Sequence, residues 1–119
     1  MQIIISSDHG GYKLKEFLEY EYDVAQSVRD ASKVKLVDCG PQDLDPEDDY
    51  PQFAFDLCKQ LVQYEGFLAS PEQDISFEEE VIGLLICRAG HGMAIAANKV
   101  KNIRAALCTT SEHAVKARQ

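Results

Sequence analysis

The 119-residue chain predicts an α/β fold: a mostly parallel sheet with helices on both faces, in three layers. Three observations carry that reading. Four short apolar runs, at residues 3–6, 34–39, 81–87 and 103–108, look like strands buried on both sides, the pattern of parallel sheets. Helix-period segments lie between them, as crossovers between parallel strands require. The length suits one domain, residues 1–119, with a real core. Right-handed crossovers then place helices on both faces of the sheet.

The elements follow in order. The first strand, "IIIS", leads into "DHGG" and a helix over residues 12–22, with Leu14, Phe17 and Leu18 at helical spacing and helical character running on towards Ser32. The second strand ends at Cys39 and opens the acidic, proline-bearing loop "CGPQDLDPEDDYP". A helix over residues 51–64 follows, with Pro51 suited to a first helical position and Phe53, Phe55, Leu57, Leu61 and Val62 on its apolar side. The connection "YEGFLASPEQDISFEEE" carries six carboxylates and reads, like the first acidic loop, as a solvated surface excursion. The strand ending at Cys87 is followed by "RAGHG" and a helix over residues 92–100. The run at 103–108 is the fourth strand, and a helix over 111–118 comes last with no strand after it. The sheet therefore reads as unfinished.

Composition narrows function by class. The formal net charge is −8 and the pI near 4.7, which disfavours nucleic acid, because phosphate-backbone binding draws on clustered Lys and Arg. A small phosphorylated ligand is not excluded, since it needs only a few local donors. No stretch is apolar and long enough to span a membrane, and the N-terminus lacks a basic signal-peptide region, so a cytoplasmic protein is expected. Cys39, Cys58, Cys87 and Cys108 are widely spaced, with no C-x-x-C. They read as reduced thiols, mostly buried, rather than a disulfide or zinc framework, and no metal is expected.

Ligands of such sheets sit beyond the carboxyl ends of the strands, where Asp8, His9, Gly40 and Cys87 fall. At Cys87, the N–H groups of a following helix, Gly90 and Gly92 without a Cβ, and the charge of Arg88 and His91 would lower a thiol pKa from roughly 8.5. The same donors would stabilise an oxyanion on a substrate. A plain buried cysteine before a tight turn fits the spacing equally well. Asp8 beside His9 suits acid–base work on a hydroxyl, or else a helix cap followed by an exposed loop histidine. No nucleotide cofactor is expected. A dinucleotide fingerprint from Gly90 would need Gly or Ala at Ile95 and an acid near Thr110, and no phosphate-loop motif occurs.

"SDHGGYKLK", "DDYP", "LLICRAGHGMAIAANK" and "IRAALC", in this order, resemble the ribose-5-phosphate isomerase B and galactose-6-phosphate isomerase family over nearly the whole chain. The resemblance implies a Rossmann-like α/β/α sandwich that forms a homodimer or dimer of dimers. It implies metal-free aldose–ketose isomerisation of a pentose or hexose phosphate through an enediolate. It implies Cys87 as the base moving a proton between C2 and C1, with Asp8 and His9 binding substrate and opening the ring. Tyr50 would line the sugar site, Gly90 and Gly92 would turn amides to the enediolate, and Asn98 matches the asparagine of A-A-N-K. Three positions depart from the family pattern. Arg88 replaces a loop glycine, Ala89 a threonine whose hydroxyl lies near the reacting oxygens, and His91 an aliphatic residue. Arg88 and His91 would supply compensating charge to the sugar phosphate. Alternatively, the loop is no longer tuned for isomerisation and the chain is a non-catalytic sugar-phosphate-binding relative. In the family the matching sequence continues into a further strand and helices that carry a second histidine and phosphate-binding arginines. The present sequence ends at Gln119, before that region.

Overall fold

The computed structural model describes residues 1–28, 34–68 and 80–119. Three strands, β1 (Gln2–Ser7), β2 (Lys35–Asp38) and β3 (Val81–Ile86), form a parallel sheet in the order β2-β1-β3. Register pairs Ile5 of β1 with Asp38 on one side and Leu84 on the other. The first strand is thus central, which is why its run is the most apolar: Ile4 and Ile5 are buried, each contributing roughly 1.5–3 kcal/mol of transfer free energy.

Helix α1 (Tyr12–Val28) connects β1 to β2, and α2 (Tyr50–Leu68) connects β2 to β3 across the central strand. The two crossovers run in opposite directions, so the right-handed rule puts their helices on opposite faces. Alternate residues of β3 meet the α2 side. Gly83 lies beneath Leu57 and Leu61, where a Cβ would come 2.5 Å from Leu57. Leu85 and Cys87 pack on the cluster of Ala54, Met93 and Ala96 that α2 shares with α3 (His91–Ala97). Ile86 faces α1, and Gly11 has no room for a Cβ against the Ile86 carbonyl. This is the parallel α/β arrangement that the alternation predicts, and it is Rossmann-like, as the resemblance implies.

Four expectations need correction. Residues 103–108 form no strand; Ala105 instead bonds through both its N–H and its C=O to the side chain of Asn98, in place of a ladder partner. Cys108 is therefore exposed rather than buried, and of the four free thiols only Cys58 is fully buried. Helix α3 stops at Ala97 rather than residue 100, because Lys99 and Val100 turn their N–H groups back to Ala96 and Ala97 in tighter turns and Asn102 takes a positive φ of 69°. In α1 the helix is right but its buried face is not. Leu14 and Phe17 are exposed, whereas Tyr12 and Lys15 point inward. Residues 29–33 and 69–79, where the first helix was expected to run on and most of the second acidic excursion falls, lie outside the described residues. The last helix, α4 (Ser111–Arg118), is capped by the Thr110 hydroxyl, which accepts from the His113 N–H, and an ion pair from Arg118 to Glu80 ties it to the start of β3.

Candidate active site

The chain leaves β1 towards α1 on one face of the sheet and β3 towards α3 on the other, so the loops after these adjacent strands diverge. A crevice opens between such loops at the carboxyl edge of the sheet. Here the two loops touch each other. The Asp8 N–H donates to the Ile86 carbonyl at 3.3 Å, and a Cβ on Gly10 would stand 3.1 Å from the Arg88 nitrogen.

On the β1 side, Asp8 is buried and its Oδ1 accepts from the Gly11 N–H at 3.0 Å. That is a cap on the entry to α1, where unpaired N–H groups need an acceptor. His9 is more open, at 37% exposed, and it is not alone as a loop residue. Its Nδ1 lies 2.7 Å from Asp48 Oδ1, and its backbone N–H donates to the same oxygen at 3.0 Å. The hydrogen bond to Asp48 raises the imidazole pKa above its ordinary value, partial burial works against it, and the charges of Asp48 and Asp8 add to the rise.

On the β3 side, Cys87 is half-buried and its Sγ accepts from the Gly90 N–H at 3.1 Å. Gly90 sits at the cap of α3 with φ of 78°, a left-handed conformation that disfavours side chains, and a Cβ there would strike Leu107. Its amide is thus spent on the sulfur. The N–H groups of the first turn of α3, at His91 and Gly92, have no intrahelical acceptor and are the donors left for an oxyanion. Arg88 and His91 are exposed on either side of Gly90.

The third contribution comes from the loop after β2. Tyr50 opens α2 and its ring lies on Gly92, where a Cβ would come within 2.7 Å of ring carbons. Asp8, His9, Tyr50, Cys87, Arg88, Gly90, His91 and Gly92 are therefore carried by three loops on one edge of the sheet. Asn98 lies at the far end of α3, and its amide is committed to Ala94 and Ala105.

Sequence reasoning passes over two residues here. Asp48 lies in an acidic run that reads as solvated, yet its side chain is only 8% exposed. Its signal is the "DDYP" stretch itself, in which the sequence reading rests on Tyr50. Lys15 is 2% exposed, with Nζ 2.6 Å from Asp38 and 3.5 Å from Glu19, and over the Tyr12 ring. A lysine is seldom fully buried unless paired, and nothing local marks this one. Burial pushes the Asp38 carboxyl up, but hydrogen bonds from Lys15, Gly40 and Gln42 outweigh it and hold the group below the usual carboxylate range. Burial pushes the Cys39 thiol up to about 11. Among the described residues no group of three or more His, Cys, Asp or Glu side chains is placed to hold a metal ion.

The family model described as Ribose/Galactose Isomerase matches residues 3–119. The chain belongs to the ribose/galactose isomerase family. Similar members include the probable ribose-5-phosphate isomerase B of Mycoplasma pneumoniae, 39% identical over 98% of this chain and 63% of its own length. The Mycoplasma genitalium counterpart is 35% identical, over 98% of this chain and 64% of its own. A crystal structure of ribose-5-phosphate isomerase B from Mycoplasma genitalium with bound ribulose-5-phosphate superposes with a TM-score of 0.74 at 34% identity, covering 99% of this chain and 64% of that one. The type B ribose 5-phosphate isomerase of Trypanosoma cruzi gives 0.71 at 31%, covering 98% of this chain and 63% of that one. This chain thus spans just under two thirds of the length of these relatives.

Proposed function

We propose that the protein is an aldose–ketose isomerase acting on a phosphorylated sugar, ribose 5-phosphate first, with Cys87 as the base. The observation that carries this reading is the position of the Cys87 sulfur. It lies just past the carboxyl end of β3, under the Gly90 N–H, on the segment whose Arg88 backbone meets Gly10 and whose Gly92 meets the Tyr50 ring.

Isomerisation needs a base for a carbon acid and a site for the negative charge that develops on oxygen. With the sugar in its open aldehyde form, Cys87 takes the proton from C2, and the C–H electron pair moves into the C1–C2 double bond of an enediolate. The N–H groups of His91 and Gly92 stabilise its oxygen. The proton held on the sulfur exchanges with solvent in competition with its return to C1, and that return, with the O2 hydroxyl proton passing to O1, completes the ketose. His9 opens the ring on a loop that Asp8 caps, Tyr50 lines the sugar, and Arg88, exposed and without an ion-pair partner among the described residues, meets the phosphate. Family membership and the likeness to an isomerase holding ribulose-5-phosphate support this assignment. Exposed Ile95 on α3, and Leu107, which covers Gly90, support self-association as part of the reading.

The test incubates the chain in D2O with ribose 5-phosphate and a panel of hexose 6-phosphates. Loss of the C2 proton signal, with ketose appearing, is the expected result for at least one sugar. The departures at Arg88 and Ala89 favour a second reading, a non-catalytic binder of the same ligands. It predicts thermal stabilisation by a sugar phosphate with no exchange at C2.

A further inference from the structure

We propose that Asp48 is a positioning residue for His9, fixing the imidazole so that Nδ1 carries hydrogen and Nε2 is the nitrogen offered to a sugar hydroxyl. The use of that nitrogen on a sugar rests on the isomerase reading above; the fixing of the ring does not.

The geometry is specific. One oxygen of Asp48 takes both the backbone N–H of His9, at 3.0 Å, and its Nδ1, at 2.7 Å. An ionised carboxylate can only accept, so the hydrogen in the shorter contact belongs to Nδ1. The Asp48 side chain is 8% exposed, and its second oxygen is buried with no donor among the described residues. Among the described residues the carboxylate is therefore answered by His9 alone, and a buried charge with one partner holds that partner firmly. The groups facing the imidazole are few. Asp48 comes from the loop after β2, and Asp8 from the imidazole's own loop. The loop after β3 brings the Arg88 backbone up to Gly10. Both carboxylates favour the protonated ring, in agreement with its raised pKa. A histidine ordered this way by a carboxylate can donate from Nε2 to a ring oxygen and later accept from a hydroxyl, while its orientation stays set.

The experiment is 15N NMR of the histidine side chains in the full chain, without sugar, across its titration. In the unmodified protein, neutral His9 is expected as the Nδ1–H tautomer; the Nε2–H tautomer would overturn the proposal without any variant. In Asp48→Asn the midpoint is expected to fall by roughly one pH unit and the ring to become a tautomer mixture. Asp48→Glu should recover part of the midpoint. An Asp48→Asn protein with native circular dichroism and an unchanged His9 midpoint and tautomer would also overturn it. On the same samples, C2 exchange should fall at least tenfold in kcat for Asp48→Asn with KM little changed. If only the unmodified chain's C2 exchange is absent, the isomerase reading fails and the fixed tautomer stands.

Discussion

The ring of Tyr50 rests on Gly92 so closely that a Cβ at position 92 would lie 2.7 Å from two ring carbons. Tyr50 begins α2 and Gly92 lies in the first turn of α3, so this contact joins the loop after β2 to the loop after β3. The His9–Asp48 pair joins the same β2 loop to the loop after β1. Three loops are thereby held in one register by two contacts between side chain and backbone or side chain.

Gly92→Ala tests the first contact. Tyr50 is 38% exposed, so the ring can swing outward and the backbone need not move. Alanine is also better than glycine inside a helix by about 1 kcal/mol. Thermal stability should stay within about 1 kcal/mol of the original. KM for the sugar phosphate should rise severalfold, because Tyr50 no longer lines the site. An unchanged KM would show that Tyr50 does not touch the substrate.

Lys15→Met tests the buried ion pair. Removing the ammonium strands the Asp38 carboxylate, at 12% exposed, and should cost on the order of 3 kcal/mol in denaturant unfolding at neutral pH. The pH dependence has a definite sign. The Asp38 pKa is lower folded than its unfolded value of 3.8, so its contribution is complete above that value and lost as pH falls through the folded one. In Lys15→Met the acid-side loss should flatten. A variant with the original acid limb would place the acid sensitivity elsewhere.

Asn98→Ala should loosen residues 103–108 without unfolding the domain. Asn98 gives Ala105 both a donor and an acceptor, at 2.8 and 2.9 Å, and these are exposed bonds. Hydrogen exchange at the Ala105 amide should quicken by about tenfold. Leu107 covers Gly90, so the loop that holds Cys87 should loosen with it. Unaltered exchange at Ala105 would mean that other contacts hold the segment.

How much of this was legible in the sequence depends on how local each cause is. The strands at β1, β2 and β3 and the four helices of the described residues follow from apolar runs and periodicity, which are local. The position of Cys87 and of the Asp8–His9 pair at strand ends follows from the same pattern. The run at 103–108 has the composition of a strand, but a strand needs a neighbour, and composition does not supply one. Asp48 and Lys15 are buried by partners 39 and 23 residues away, His9 and Asp38, and no spacing announces such pairs. Asp8 shows a local cause within a motif. Its carboxylate accepts from the Gly11 N–H, the helix-cap role that the residue type alone favours over acid–base work.

The measurement that bears most directly on the central claim is deuterium exchange at C2 of ribose 5-phosphate by Cys87→Ala beside the unmodified chain. Alanine removes the sulfur from a half-buried position and leaves the Gly90 turn its backbone, so the fold should survive, as circular dichroism would report. Loss of a general base typically costs on the order of 10²–10⁴ in rate. The account predicts exchange by the unmodified chain and a fall of that size in the variant. Equal exchange in both proteins would contradict it.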